Sequence, residues 1–508
     1  MSVAAPYKPR ASLGWVLAIT AAAGLIVALD QLVVATALQT IRHDLHASMA
    51  SLEWTVNAFS LSFAALMIPG AELGDRIGRK RAYVIGLVVF ALASAACAVA
   101  PNVALLITAR ILQGAGGALI SPAALALLTG ATPAHKRGAV MGIYAAVMGL
   151  AVVGGPLVGG AVAQGIAWQW IFWINLPVIA LVLPLAATKL TETKGNPARP
   201  DLLGLALAAA SMFAIVWGLV RSGATGWSSA EVLSTLIGGG VLLGLFVAWE
   251  LRATAPMLPL RLFKIPEFAA GNLSTLLLTA SLFSTVFFLA QYLQIGLGYS
   301  PLGAGLRFLP WTVPLFIVAP VAGRLQDRIG PRWLISVGLT LQGLGFVWLA
   351  VSAHRHDSYG SAVAGLVLAG IGTSMAMPAQ QSAVMSSAPV ASMGKAAGTF
   401  STVRQVGGAL GIAILAAVFA AHGSDRSPLE FVDGFSAAII ASAVMAFAGA
   451  VSGLFAPGRR LVAAGPVRPE VPPAAVPAVR PGAVPAVGPV AVPAAVPVVT
   501  AEEELGVS

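Results

Sequence analysis

Long apolar segments with almost no charge run through this sequence from about residue 15 to about residue 456. Hydrophobic residues make up 58% of the chain and charged residues only 9%, whereas a soluble domain carries roughly 25% charged residues because it needs a solvated surface. The segments are continuous rather than alternating, and in lipid only helices or closed barrels satisfy every backbone polar group. The sequence therefore predicts a polytopic bundle of transmembrane helices.

A membrane-spanning helix needs about 20 mostly apolar residues, and the apolar segments divide into fourteen such lengths. The predicted spans are 15–38, 52–71, 82–101, 104–128, 138–164, 168–188, 202–221, 231–250, 268–294, 304–323, 333–353, 360–386, 396–421 and 433–456. The first span lacks a short core followed by a small-residue cleavage site, so we expect it to be retained rather than removed as a signal peptide.

The distribution of basic residues predicts the orientation in the membrane. Most of the 29 Lys and Arg residues fall in the segments on one side of the predicted spans. Because Lys and Arg hold short loops in the cytoplasm, we expect both termini to be cytoplasmic. The same loops account for the net charge of +10, so this charge does not predict a nucleic-acid partner.

A ten-residue motif occurs twice. Residues 71–80 read Ala-Glu-Leu-Gly-Asp-Arg-Ile-Gly-Arg-Lys, and residues 323–332 read Gly-Arg-Leu-Gln-Asp-Arg-Ile-Gly-Pro-Arg. Five positions coincide and each copy ends a span on the same side, which indicates duplicated halves. The copies lie eight spans apart rather than six, so two spans stand between the halves. We therefore predict an all-α membrane fold of two pseudo-symmetric six-helix bundles plus two extra central helices, in which the bundles rock to alternate access.

This organisation predicts five regions along the chain. They are a cytoplasmic N-terminal tail (1–14), an N-terminal six-helix bundle (15–188), a linker with two extra transmembrane helices (189–265), a C-terminal six-helix bundle (266–456) and a disordered Pro-, Ala- and Val-rich cytoplasmic tail (457–508). The last region is apolar, but proline recurs every few residues, and proline removes backbone donors and breaks helices.

The first copy of the motif forms a charged loop in which Asp75 lies among Arg76, Arg79 and other bases, and Gly78 permits a chain reversal. We expect Asp75 to lie at the N-terminus of the next helix and Arg79 to pair with an acid across the bundle interface. The same charges also hold the loop in the cytoplasm, which is the simpler interpretation.

Small residues recur in the fifth span from Gly149 to Gly160, including Gly155 and Gly159. Small residues let transmembrane helices approach closely, and Pro156 can kink the helix.

Taken together, these motifs follow the order found in a known family. They are the loop around Asp75, Arg110 with Gln113-Gly114, Gly155-Pro156 with Gly159, the stretch from Trp168 to Pro177, Gln291-Tyr-Leu-Gln294, Gly305 to Pro310, and Arg404-Gln405-Val-Gly407-Gly408. Through them the sequence resembles the fourteen-span drug:proton antiporter branch of the major facilitator superfamily. In the first span, Leu32, Ala35 and Gln39 replace the Thr, Asn and Pro that are usual in this family.

Asp30 is the only acidic residue well inside a predicted span, and Arg110 lies at a similar depth in the fourth. An intramembrane ionisable residue is a functional candidate by default, and we predict that Asp30 carries the exchanged proton while Arg110 couples it to conformational change. The resemblance implies the same roles. The alternative is a structural salt bridge that fixes helix packing.

Polar side chains in otherwise apolar walls, with two aromatic ones, are the candidate substrate contacts. They are Trp54, Asn57, Phe59, Gln113, Asn272, Phe288, Gln291, Gln294 and Gln405. A mostly apolar pocket with few polar groups suits hydrophobic or amphipathic molecules. Hydrogen bonding between helices explains the Asn and Gln residues about equally well.

Simpler interpretations hold for other residues in or near the spans. We expect Arg404 to extend to the cytoplasmic interface and Glu53 to be interfacial at the outer end of its span. Trp168, Trp170 and Trp173 fit an interfacial aromatic belt.

No Gly-x-x-x-x-Gly-Lys-Ser/Thr loop, His-Glu-x-x-His motif or cysteine pair occurs in the sequence. We therefore predict a transporter with no catalytic residues, no metal and no cofactor, driven by the proton gradient.

The resemblance implies an exporter of hydrophobic or amphipathic drugs and antibiotics. We expect a monomer, with a small molecule, protons and the lipid bilayer as partners, in the plasma (inner) membrane of a bacterium. The alternatives are a dedicated exporter of an endogenous metabolite or lipid, a nutrient symporter, and a membrane scaffold or receptor that transports nothing.

Overall fold

The computed structural model describes residues 12–133, 137–194, 201–253, 256, 258, 260–355, 358–389 and 393–458. Within these ranges every regular element is helical. Most of the predicted N-terminal and C-terminal tails lie outside the described residues, and the predicted domain boundaries stay predictions.

Nine helices cover the first half of the chain and the segment between the halves. They are α1 (Leu13–Leu45), α2 (Met49–Ile77), α3 (Arg79–Ala98), α4 (Val103–Ala131), α5 (Arg137–Gly165), α6 (Trp170–Trp173), α7 (Asn175–Lys189), α8 (Leu202–Thr225) and α9 (Ala230–Arg252).

The second half begins with a short 3₁₀ helix, Leu260–Lys264, and a π-helical turn, Tyr292–Gly296, follows its first long helix. The α-helices are α10 (Pro266–Gln291), α11 (Pro301–Leu306), α12 (Leu309–Thr312), α13 (Pro314–Ile329), α14 (Pro331–His354), α15 (Tyr359–Ser387), α16 (Met393–His422) and α17 (Pro428–Gly453).

Fourteen helical segments in the described residues are long and apolar enough to cross a membrane, and each predicted span overlaps one of them. Two spans are interrupted. The sixth consists of α6 and α7, and the tenth consists of α11, α12 and α13. Pro177 in the sixth span and Pro310 and Pro314 in the tenth explain these breaks, because proline has no N–H for the preceding turn.

The two bundles repeat the same helix pairings, as the duplicated motif predicts. In the N-terminal bundle α1 packs on α5 and α7, α2 on α4, and α3 on α4 and α7. In the C-terminal bundle α10 packs on α16 and α17, α13 on α15, and α14 on α15 and α17. The two bundles meet where α1 packs on α10, α2 on α16 and α5 on α11.

The two extra helices are central in the sequence but lie beside the bundles. Helix α8 packs on α2 of one bundle and α16 of the other, whereas α9 packs on α8 and the 3₁₀ helix. Trp54 of α2 contacts Phe213 and Trp217 of α8, with ring centroids 5.5 and 5.7 Å apart. The α8–α9 hairpin therefore covers the seam at which α2 meets α16.

Candidate functional site

The Asp30 carboxylate and the Arg110 guanidinium form an ion pair between α1 and α4. Asp30 is fully buried and Arg110 is 1% exposed, at a depth where both side chains lie inside the spans. Removing charges from water is costly, and attraction between partners repays that cost only when the remaining hydrogen bonds are also made. The geometry around the pair therefore decides whether it is stable.

Two side-chain amides add hydrogen bonds to Asp30. Its Oδ1 atom accepts from Gln113 Nε2 at 2.8 Å and from Asn175 Nδ2 at 3.1 Å. Both amides also bond to Ser94 Oγ, at 2.8 and 3.2 Å. Helices α1, α3, α4 and α7 thus contribute to one buried polar network.

Arg110 makes further hydrogen bonds besides the ion pair. Its Nη1 donates to Gln113 Oε1 at 2.6 Å, and its Nε donates to the Thr55 carbonyl of α2 at 3.0 Å. The guanidinium also lies over the Phe59 ring, 4.4 Å from the centroid, and a cation gains attraction over an aromatic face. The network is thereby linked to five helices of one bundle.

This arrangement can bind and release a proton through a change in helix packing. Burial penalises an ionised carboxylate, and the guanidinium and two amides compensate for that penalty. If α1 and α4 shift so that Arg110 leaves, Asp30 remains buried without a cation to balance its charge.

Two members of the network were not among the predicted site residues. Asn175 lies two residues before Pro177 in an apolar stretch, and Ser94 lies between alanines in the third span. Asn175 could have been identified as a candidate, because it is an amide inside a predicted span. Nothing in the sequence distinguishes Ser94 from the other small residues of its helix.

The charged loop differs from its prediction. Arg79 Nε donates to Asp75 of the same loop at 2.8 Å, so the expectation that Arg79 pairs with an acid across the bundle interface was wrong. Asp75 does not cap α3 either, because Glu192 accepts from the backbone N–H groups of Lys80 at 3.0 Å and Arg81 at 3.2 Å.

Gly78 is required at this position for two reasons. Its φ of +114° lies in the region that L side chains avoid, and an added Cβ would lie 2.4 Å from the Glu192 carboxyl carbon. Arg76 stands in the last turn of α2, next to this loop.

The glycine–proline element of α5 lies between α1 and α11. A Cβ on Gly155 would come within 2.6 Å of the Leu32 Cβ, and one on Gly159 within 2.2 Å of the Val33 carbonyl oxygen. On the other side, a Cβ on Gly305 of α11 would lie 2.4 Å from the Pro156 carbonyl oxygen. The element allows α5 to approach α1, one turn beyond Asp30, and the C-terminal bundle at the same time.

Several polar contacts join the bundles at the end of the molecule that the basic residues predict to face outward, called the outer end below. Gln39 Nε2 donates to Gln291 Oε1 at 2.9 Å, and Gln294 Nε2 donates to the Thr36 carbonyl at 3.0 Å. Arg42 pairs with Asp425. Gln39, which departs from the family pattern, therefore has a physical role between the bundles.

An open cleft of about 690 Å³ lies beside these outer contacts. Trp168 lines it, is only 2% exposed and donates from Nε1 to Asp44 at 2.6 Å. The expectation of an exposed aromatic belt is therefore wrong for Trp168, although Trp170 is 49% exposed.

The candidate substrate residues do not form one pocket in this structure. Phe59 and Gln113 belong to the Asp30 network, whereas Gln291 and Gln294 join the bundles at the outer end. Trp54 packs against α8. Phe288 lies in the core of the C-terminal bundle, where its ring centroid is 5.3 Å from that of Phe419. Three candidates keep buried polar atoms without hydrogen-bond partners, namely Asn57, Asn272 and Gln405.

Glu53 is buried rather than interfacial. It is 5% exposed, and its Oε2 atom has no hydrogen-bond partner among the described residues. In the described part of the chain, no three His, Cys, Asp or Glu side chains are grouped as a metal ion would require.

Comparison with known proteins places this geometry in a family context. A family model described as Major Facilitator Superfamily matches residues 20–412 and 271–496. The tetracenomycin C resistance and export protein of Streptomyces glaucescens is 32% identical over 411 residues, covering 80% of this chain and 76% of the relative. The cephamycin export protein of Amycolatopsis lactamdurans is 34% identical over 441 residues, covering 86% and 90%.

Other relatives carry multidrug names. The multidrug efflux pump LfrA of Mycolicibacterium smegmatis is 30% identical over 411 residues, covering 80% of this chain and 81% of the pump. Among solved structures, a crystal structure of the peptide transporter POT with sulfate is similar with a TM-score of 0.64 at 16% identity, covering 87% of this chain and 95% of that one. At this identity the similarity concerns the fold alone.

Proposed function

Because the chain belongs to the major facilitator superfamily, we propose that it exports hydrophobic or amphipathic small molecules, including antibiotics, in exchange for protons. The chain is a multi-pass membrane transporter, and its role is transport rather than catalysis. Under this proposal the proton gradient is the only energy source and no cofactor takes part. We place the protein as a monomer in a bacterial plasma membrane, with both termini in the cytoplasm.

The observation that carries the proposal is the buried Asp30–Arg110 pair with its amide shell. In the proposed cycle a proton from outside binds the Asp30 carboxylate and releases Arg110. The bundles then rock, the proton leaves to the cytoplasm, and the pair re-forms. Substrate moves outward in the return step, so that proton entry supplies the free energy of export.

The outer contacts support alternating access as the mechanism. Gln39 with Gln291, and Arg42 with Asp425, join the bundles on that side. These contacts must break before a substrate can leave outward. Under this proposal, the structure corresponds to a state in which the bundles are joined on the outer side.

A dedicated exporter of one natural product is the second candidate. The relatives from Streptomyces glaucescens and Amycolatopsis lactamdurans are named for the export of single compounds. A narrow substrate range in the assay below would favour this candidate without changing the proposed coupling.

The proposal is tested in inside-out vesicles that contain the full-length protein. Three dansyl compounds share one fluorophore and differ in charge: dansylglycine, its methyl ester and dansylcadaverine. We expect at least one of them to accumulate when a proton gradient is imposed and to leave when the gradient is collapsed. Asp30→Asn should abolish this accumulation at equal expression. Gradient-driven accumulation that persists in Asp30→Asn would contradict the role of Asp30.

A further inference from the structure

Arg404 is a second arginine inside the membrane, and it is not part of the Asp30 network. It lies on α16, eleven residues after the first residue Met393, which is roughly 16 Å along the helix. Its Nε atom is buried and has no hydrogen-bond partner among the described residues. The side chain as a whole is only partly buried, and the expectation that Arg404 extends to the cytoplasmic interface stays a prediction.

One titratable side chain relevant to Arg404 belongs to the other bundle. The titratable side chain whose charge would act on Arg404 is Tyr144 of α5, a phenol rather than a carboxylate. The Tyr144 hydroxyl in turn lies over Gly24 of α1, 2.8 Å from the position of an added Cβ. Across the interface between the bundles, helix α16, which carries Arg404, packs on α2.

The Arg404 guanidinium has no ion-pair partner among the carboxylates of the described residues. None of their oxygens lies within 4.0 Å of it. Asp30, the acid deepest in the N-terminal bundle, is committed to Arg110, Gln113 and Asn175. The charge of Arg404 is thus not neutralised by the protein around it.

Further unpartnered polar atoms lie on helices packed around this part of α16. Gln405 Nε2, Thr402 Oγ1, Gln380 Nε2 of α15 and Asn272 Oδ1 of α10 are buried without hydrogen-bond partners. Gln405 is 3% exposed, and Gln380 and Asn272 are each 1% exposed. Each such atom costs free energy unless a partner arrives, and helices α10, α15 and α16 pack against one another.

We propose that Arg404, with Gln405 and Tyr144, forms a binding site for organic anions, so that the exported molecules are amphipathic carboxylates or phenolates rather than cations. This inference rests on the proposed export function and names its substrate class. A buried cation is retained in a membrane protein when it has a partner or a function. A bound anion supplies that partner, with charge-assisted hydrogen bonds from the guanidinium, and the unpartnered amide of Gln405 can donate to its remaining acceptor atoms.

The site is tested by equilibrium binding, without any gradient, in phosphatidylcholine nanodiscs. Dansylglycine carries a carboxylate, its methyl ester is uncharged, and dansylcadaverine is a cation. We expect the wild type to bind dansylglycine most tightly, as measured by fluorescence anisotropy. Arg404→Gln should weaken dansylglycine binding about tenfold or more, since a hydrogen bond to a charged group contributes about 1.5–3 kcal/mol. Binding of the methyl ester should change less than about twofold, within the precision of such comparisons.

Two controls complete the binding experiment. Arg404→Lys should retain part of the preference for the anion, and Arg426→Gln, which removes an exposed arginine from an outer loop, should retain all of it. Equal weakening of acid and ester in Arg404→Gln, or a wild-type preference for dansylcadaverine, would overturn the proposal. Displacement of dansylglycine when phosphatidylglycerol is added would assign the site to a lipid headgroup and would overturn it as well.

Energised vesicles separate this inference from the proposed function. If Arg404→Gln accumulates the methyl ester normally and loses dansylglycine, both proposals are supported. If the wild type binds dansylglycine through Arg404 but accumulates none of the three compounds, the anion site stands and proton-driven export fails.

Discussion

Two arginines lie inside the membrane, one in each bundle, and their surroundings differ. Arg110 has an acidic partner, an amide acceptor, a backbone carbonyl and an aromatic face. Arg404 has a buried Nε without a hydrogen-bond partner and a phenol nearby. The buried cation of the N-terminal bundle is thus neutralised by a carboxylate, whereas the partly buried Arg404 of the C-terminal bundle has no carboxylate partner among the described residues.

The difference separates two tasks that a proton-driven exporter must perform. In this account, the Asp30–Arg110 pair lets the carboxyl bind or release a proton when the helices shift, because the ionised carboxylate has Arg110 and two amides as partners. A cation without a carboxylate partner can instead bind an anionic ligand from outside the protein. In this account the N-terminal bundle handles the proton and the C-terminal bundle contributes the charge that selects the substrate.

The largest expected effect is a contrast in stability between the two arginines. Arg110→Met leaves Asp30 buried without its partner, and breaking a buried ion pair costs about 3–5 kcal/mol. Arg404→Met removes a cation that has no acidic partner and should be neutral or stabilising. The apparent Tm of each purified variant, followed by tryptophan fluorescence, checks the contrast. Equal losses of Tm in the two variants would contradict the described difference.

The next effect concerns the close approach of α5 to α1, which positions the helix of Asp30. In Gly159→Ala the new methyl group would meet the Val33 carbonyl oxygen, and overpacking of this kind costs about 1–3 kcal/mol. We expect energised accumulation to fall about tenfold, which corresponds to about 1.4 kcal/mol.

Gly154→Ala is the matched control in the same helix, because a Cβ at that position meets no atom within 4 Å. It should transport like the wild type. Similar losses in both variants would show that helix propensity, rather than the contact between α5 and α1, explains the result.

The smallest effect concerns the outer contacts between the bundles. Gln39→Leu removes the hydrogen bond to Gln291, and a neutral hydrogen bond contributes about 0.5–1.5 kcal/mol. The outer side should open more often, so a Thr40→Cys reporter in the outer cleft, in a Cys97→Ser background, should react several times faster with an impermeant maleimide. Gln169→Leu, which affects a bond to Asp44 within one bundle, should leave this rate unchanged, and a slower rate in Gln39→Leu would contradict the account.

The fold could be predicted from the sequence because a membrane imposes simple requirements on the length and composition of each span. Span length, continuous apolar composition and the duplicated motif together specify fourteen helices in two related halves. Proline positions such as Pro310 also indicated where a span could break, but the extent of α11, α12 and α13 depends on packing that the sequence does not display.

Only part of the candidate site could be predicted from the sequence. Asp30 and Arg110 stood out because ionisable residues are rare inside apolar segments. Their pairing depends on the rotation of α1 against α4, which a single sequence does not specify. The roles of the glutamines were harder to predict, because all three appear alike in the sequence as polar residues in apolar walls. In the structure, Gln113 bonds to Asp30, Gln291 joins the bundles, and Gln405 has an Nε2 atom without a hydrogen-bond partner.

The central claim is that Asp30 holds the proton that is exchanged for substrate, and proton release on substrate binding tests it most directly. The purified protein in weakly buffered detergent is mixed with a saturating dansyl ligand, and the pH of the solution is recorded. In the proposed cycle the ligand stabilises the state in which Asp30 has lost its proton and pairs with Arg110. We therefore predict a release of protons from those wild-type molecules that carry a proton on Asp30, and none from Asp30→Asn at the same ligand occupancy. Asp44→Asn, an acid at the outer end of the same helix, should release protons as the wild type does. Undiminished release from Asp30→Asn would contradict the claim and would assign the proton to another carboxyl, with the buried Glu53 the first to examine.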